Sequence, residues 1–244
     1  MKRFGLNLLF ILFGFTFAAI LAELLLRAAG IGYGNSPVES HAVLHHIHPP
    51  GYKFTAYDPG GEYGGHEVRY DNLGIRRNGE ADVSADYKVA FMGDSFVEAL
   101  SVPAEKSFVG LLQAQAGEKA EMLNFGVSSY SPVLYLLQWR EVVKKLSPKA
   151  VVVMLYSNDI LTAVPSKYRL SNNEETFDKP QFSDRVREWA TGEGVNFIDL
   201  TEAFNAAAAE ASELFFERDI HFNEDGHKVT AQAIWEQVNY ASFF

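Results

Sequence analysis

The chain has 244 residues, 48% of them hydrophobic and 14% aromatic, which supplies one full core and favours one domain over two. A net charge of -10, from 21 Lys+Arg against 31 Asp+Glu, argues against a nucleic-acid partner, and no basic run occurs beyond the first three residues. The absence of cysteine excludes disulfides, thiol catalysis and cysteine-held metals, and leaves the redox compartment open.

Lys2 and Arg3 precede an almost unbroken apolar stretch from Phe4 to Ala22, with Asn7 its one strongly polar member. Roughly 19 helical residues, rising about 1.5 Å each, nearly cross a hydrocarbon core of about 30 Å. Positive residues at the start should stay cytoplasmic and send the rest of the chain outward. A cleaved signal peptide is the main alternative, which would make the product secreted, and a buried helix is the third reading. No clean small-x-small site is present, and Glu23 with Leu24–Arg27 extends the helical pattern past the apolar run. An uncleaved membrane anchor over residues 1–29 is therefore expected, with the remainder on the extracytoplasmic side.

Gly30 to Pro37 is Gly-rich and reads as a linker. Residues 30–87 form a linker and lead-in, punctuated by Pro49-Pro50-Gly51, Pro59-Gly60-Gly61 and Gly64-Gly65. Within it Tyr52–Tyr57 and His66–Tyr70 alternate like edge strands. His45, His46 and His48 invite a metal reading. Adjacent histidines on a strand face opposite ways, however, and no carboxylate is locally spaced to complete a site, so no metal is expected.

From Lys88 the pattern becomes alternating strand and helix. Strands are predicted at Lys88–Met92, Glu121–Phe125, Ala150–Tyr156 and Val195–Asp199. Helices are predicted near Ser107–Gln115, Pro132–Leu146, Ser183–Thr191, Glu202–Ala211 and Glu224–Val238, the last capped by Asn223. The apolar run Ala150–Tyr156 is of the kind covered on both faces of a parallel sheet. Ser166–Gln181 is polar and reads as a surface loop. This order predicts an α/β domain over 88–244 with a doubly wound parallel sheet. Ligands bind such sheets at the carboxyl ends of the strands. Gly93-Asp94-Ser95, Gly126 and Asn158-Asp159 each follow a predicted strand, so they converge on one edge.

Those residues can support ester chemistry. Ser95 supplies a hydroxyl nucleophile but needs a base, and His221, in a loop before the last helix, is the candidate. Asp219 is placed to orient the imidazole. The backbone N–H groups of Ser95 and Gly126 and the Asn158 amide supply three donors for an oxyanion hole. Plainer roles stand beside these: a helix cap for Ser95 or Asn158, a turn for Gly126, backbone bonding for Asp94, loop fixing for Asp159, capping for Asp199, and packing or surface exposure for His227.

In motif order the chain resembles the SGNH (GDSL-type) hydrolase superfamily from about Lys88 to the C-terminus. Its four signature residues, Ser, Gly, Asn and His, match Ser95, Gly126, Asn158 and His221. Tyr70-Asp-Asn-Leu-Gly-Ile-Arg76 also resembles a segment that precedes the catalytic domain in membrane-anchored members. The resemblance implies a flavodoxin-like three-layer α/β/α sandwich and ester or acyl-transfer chemistry without cofactor or metal. Three positions depart from the pattern. Phe96 replaces the usual leucine after the serine, and Tyr156 replaces the usual glycine two residues before the asparagine. Arg218 occupies the usual acid position, which leaves open a Ser–His dyad in place of a triad through Asp219. The Asp-x-His spacing is similar to that of envelope polysaccharide O-acetyltransferases. The expected partner is an ester substrate such as an acylated glycan. A serine esterase is the expected function; an O-acetyltransferase is the first alternative, which would also need an acyl donor passed by a membrane partner, and a non-catalytic envelope-binding module on the same fold is the second.

Overall fold

The computed structural model describes residues 2–28, 38–58, 60–78, 84–156, 159, 179–209 and 213–238. The amino-terminal helix α1 (Lys2–Ala28) contains a segment, Phe4–Leu26, long and apolar enough to cross a membrane, and the protein buries none of it. A membrane anchor and a signal sequence share these properties.

The lead-in folds as two antiparallel pairs, β1 (Glu39–His41) with β2 (His45–Ile47), and β3 (Lys53–Tyr57) with β4 (Gly64–Arg69). The second hairpin starts β4 two residues earlier than the alternation suggests, because a register shift between Thr55 and Tyr57 lets Gly64 pair with Tyr57. Gly64 has φ 129° and sits so close to its partner strand that a Cβ would lie 2.9 Å from the Ala56 carbonyl oxygen, so only glycine fits. Phe54, Ala56, Val68 and Tyr70 then form a small core that packs against Leu100.

The main sheet is parallel. Its described strands are β5 (Lys88–Met92), β6 (Glu121–Asn124) and β7 (Ala150–Val153), in spatial order β6-β5-β7. Among the described residues the first strand of this sheet thus lies between the other two, as at the switch point of a doubly wound sheet. The domain's described α-helices are the single turn α2 (Ser95–Glu98), α3 (Phe108–Ala116), α4 (Pro132–Glu141), α5 (Lys179–Gly192), α6 (Thr201–Ala209) and α7 (Glu224–Gln237). Right-handed crossovers in opposite directions put α3 and α4 on opposite faces. On one face Val89 and Phe91 meet Phe108 and Leu112 of α3 and Ala231 and Ile234 of α7. On the other, Ala90 and Met92 meet Tyr135 of α4 together with Leu44 and Ile75 of the lead-in. The period of two along β5 thereby serves both helical layers, and each fully buried large side chain contributes about 2 kcal/mol.

Four sequence expectations are modified. The helix expected over Pro132–Leu146 ends at Glu141; Val142 leaves helical geometry, and a 3-10 turn over Val143–Leu146 drives Val143 into the core. Residues 195–200 form no strand, although Ile198 reaches the core. β7 stops at Val153, three residues short of the expected end; Ala150 and Val152 pack on the core, while Val151 and Val153 are exposed among the described residues. The expected loop over 166–181 lies mostly outside the described residues, and its last three positions belong to α5.

Candidate active site

β5 runs through Gly93 into Asp94, whose carboxylate accepts the Phe96 N–H at 3.0 Å and caps α2. That cap starts a helical turn at Ser95, directly beyond β5, and places the Ser95 amide at a helix start, where N–H groups lack intrahelical partners. The turn ends at Ala99, which is left-handed with φ 57°. Asp94 is therefore a structural cap.

The second half of the site comes from the loop between α6 and α7. Asn223 caps α7 by accepting the N–H groups of Asp225 and Gly226. Its own amide donates to the Glu213 and Phe215 carbonyls, and Phe215 bridges Phe222. The loop is thus closed at its base, and His221 projects from it towards the sheet edge. His221 Nε2 lies 2.7 Å from Ser95 Oγ, and Nδ1 lies 2.5 Å from Asp219 Oδ1. The same Asp219 oxygen also accepts the His221 backbone N–H at 3.1 Å. One carboxylate oxygen thereby fixes both the ring and the peptide that carries it. About a quarter of each side chain, 26% for His221 and 24% for Asp219, remains exposed, so the pair is open to a ligand.

Aromatic rings support the imidazole. Phe96 is fully buried, with its ring centroid 5.1 Å from that of His221, 4.9 Å from Phe222 and 4.0 Å from Tyr156, on which it stacks. Phe96 and Tyr156, two of the departures from the SGNH pattern, are in contact with each other.

Gly126 lies beyond β6. Its N–H donates to Asn124 Oδ1 at 3.0 Å, and Asn124 Nδ2 donates to the Val97 carbonyl at 2.8 Å. The expected oxyanion role of Gly126 therefore meets a competing acceptor. A second reason for glycine is steric: a Cβ here would sit 2.1 Å from the Glu98 backbone nitrogen. Asn158, the third expected donor, lies outside the described residues. Asp159 beside it accepts the Tyr135 hydroxyl at 2.6 Å and the Tyr156 N–H at 2.9 Å, a loop-fixing arrangement. Asp199 accepts the Thr201 N–H at the start of α6. His227 is buried under Phe108 and Phe222, far from solvent; burial, reinforced by the charges of Arg76 and His221, pushes it down to about 3, and its Nδ1 accepts the Phe108 N–H.

The sequence reading missed the support beneath α2. Glu98 is fully buried, and its carboxylate meets His48 Nε2 at 3.1 Å, the Tyr70 hydroxyl at 3.0 Å, the Ser128 N–H at 2.8 Å and the Ser128 hydroxyl. Burial alone would raise this carboxyl; His48, then Ser128 and Tyr70, hold it down at about 2. Arg76, equally buried, donates to the carbonyls of Glu98, Ala99 and Val102. Tyr70 and Arg76 bracket the segment whose resemblance was visible in the sequence. That resemblance signalled these contacts without giving their physical role. Among the described residues no cluster of His, Asp and Glu could hold a metal.

A family model described as SGNH hydrolase-like domain, acetyltransferase AlgX, matches residues 159–243. No curated protein matches the chain. Among solved structures, a member of the lipolytic protein G-D-S-L family from Veillonella parvula superposes with a TM-score of 0.51 at 17% identity, covering 64% of this chain and 99% of that one. The acetylxylan esterase Axe2 from Geobacillus stearothermophilus gives a TM-score of 0.50 at 17% identity, covering 64% of this chain and 96% of the other. An α/β hydrolase from the metagenome of Lake Arreo, Spain, gives 0.49 at 18% identity, covering 64% and 96%. The domain has the SGNH-type hydrolase fold.

Proposed function

We propose that this SGNH-type domain is a serine esterase acting on an acyl ester, with Ser95 as nucleophile, His221 as base and Asp219 as orienting acid. The observation that carries the reading is the continuous chain from Ser95 Oγ through His221 to Asp219, at 2.7 and 2.5 Å. Ser95 Oγ attacks the ester carbonyl carbon as its proton passes to His221 Nε2. Asp219 accepts the Nδ1 hydrogen and stabilises the imidazolium. The tetrahedral oxyanion is met by the Ser95 N–H and, in this reading, by the Asn158 amide and by Gly126 once its N–H leaves Asn124. Collapse expels the alcohol with the proton from His221, and water resolves the acyl-enzyme through the same base.

The apolar helix after Lys2 and Arg3 supports an extracytoplasmic location, either membrane-anchored or released by cleavage. An O-acylated glycan is the substrate class that suits a site at the envelope surface. A transferase reading is favoured by one observation, the acetyltransferase family model over the loop that carries His221. In that reading a sugar hydroxyl replaces water, and a membrane partner delivers the acyl group.

The test is hydrolysis of p-nitrophenyl acetate by the full chain in detergent, beside Ser95→Ala. Loss of turnover in the variant is expected, and equal rates for the two proteins would end the enzyme reading. Adding glycan acceptors during turnover separates the two chemistries: partitioning into acylated glycan supports transfer, and indifference to the acceptor supports hydrolysis.

A further inference from the structure

The short Asp-x-His spacing ties the acid to the backbone of its own loop, because Asp219 Oδ1 bonds both the His221 ring and the His221 N–H. The direction of that carboxylate then follows the course of the backbone from residue 218 to residue 221. One step back along that backbone, the Arg218 N–H, on the peptide joining residues 217 and 218, is held from outside the domain. It donates to both carboxylate oxygens of Glu62, at 2.9 and 3.0 Å, across 156 positions of sequence. Glu62 stands at the tip of the β3–β4 hairpin, and that tip is itself closed. The Glu62 N–H donates to Asp58 Oδ2 at 2.9 Å, and the Gly61 N–H to the Asp58 carbonyl at 3.0 Å. The neighbouring Tyr63 ring lies 5.4 Å from Phe216, two residues before Arg218.

The same hairpin also grips the nucleophile side. His66, on β4, reaches the Leu100 carbonyl at 3.0 Å, and Tyr70, just past β4, donates to Glu98. One lead-in element thus touches both the segment following Ser95 and the loop carrying Asp219 and His221. These two parts of the site are otherwise far apart in sequence, and a hairpin bonded to both fixes their separation.

We infer that Glu62 is a positioning residue, which holds the Arg218 peptide so that Asp219 stays aligned on His221. The inference rests on the proposed Ser95–His221–Asp219 chemistry and assigns the lead-in hairpin a part in it.

The test compares the full chain with Glu62→Ala and Glu62→Gln in detergent. Glu62→Gln keeps one acceptor oxygen and discards the charge. With p-nitrophenyl acetate, Glu62→Ala is expected to lower kcat by about tenfold with KM within about twofold, while Glu62→Gln keeps about half the activity or more. A second readout does not depend on turnover. The far-downfield proton resonance of His221 Nδ1–H, bonded to Asp219, should broaden or vanish in folded Glu62→Ala and persist in Glu62→Gln. An unaltered resonance in Glu62→Ala, or equal damage by both substitutions, would overturn the inference. If the unsubstituted chain hydrolyses no ester, the esterase reading fails, and the resonance comparison still decides the role of Glu62.

Discussion

Replacing Gly126 with alanine would test how tightly β6 and the nucleophile turn are set against each other. The new Cβ would lie 2.1 Å from the Glu98 nitrogen, 2.5 Å from the Val97 carbonyl carbon and 2.7 Å from the Glu98 Cα. All three are backbone atoms, so no side chain can rotate away, and ordinary contact of about 3.5 Å requires one segment to move by roughly 1 Å. The β6 end is held to the sheet by the Phe125 N–H on the Phe91 carbonyl at 2.8 Å and to α4 by Gln138 Nε2 on the Phe125 carbonyl at 3.0 Å, so the shift falls on α2. Ser95 opens that turn. Moving it by 1 Å would stretch the 2.7 Å contact with His221 Nε2 beyond the limit of about 3.2 Å for a hydrogen bond. A misplacement of that size costs about 100-fold in rate, and the overpacking costs about 1–3 kcal/mol of stability. Steady-state turnover of p-nitrophenyl acetate measures the first effect and urea unfolding the second. A variant with kcat within threefold of the parent and an unchanged unfolding midpoint would refute the close-approach account of Gly126.

Buried charge sets two further outcomes. Burial holds His227 near 3, below its unfolded value of about 6.5, so the unfolded chain binds the extra proton between those values; stability is full above about 6.5 and falls as pH drops toward 3. Glu98, held at about 2 against an ordinary 4.5, acts in the same direction below about 4.5. Denaturant midpoints should therefore be level above pH 7 and decline from about 6.5, with His227→Gln flattening the stretch between 6.5 and 4.5; equal midpoints at pH 7 and 4.5 would contradict this. Arg76→Ala strands three buried carbonyls and removes the cation beside Glu98, so it should cost at least about 3 kcal/mol in urea unfolding, and a loss below about 1 kcal/mol would show that the lead-in does not support α2.

Much of the fold was legible because it depends on local pattern. The apolar run Lys88–Met92, the helix start near Ser107, the cap at Asn223 and the repeat in the last helix are all decided within a few residues, and β5, α3 and α7 lie within a residue or so of where the pattern puts them. The elements that misled have ends set by distant partners. Val195–Asp199 has the apolar alternation of a strand but pairs with none among the described residues, and the long helix before Ser147 breaks so that Val143 can be buried.

By itself the sequence determined the alternation of strands and helices, the apolar helix after Lys2 and Arg3, and the presence of Ser95, Gly126, Asn158, Asp219 and His221 in an order that suits ester chemistry. Tertiary structure decided what those residues touch. It set the imidazole between Ser95 and Asp219, gave the Gly126 N–H to Asn124, and laid the lead-in beneath the nucleophile turn through His48, Tyr70 and Arg76. The physical reason is range. Periodicity and capping act over a few neighbouring residues, whereas a hydrogen bond between residues 95 and 221, or between 62 and 218, exists only once the whole chain has closed on its core.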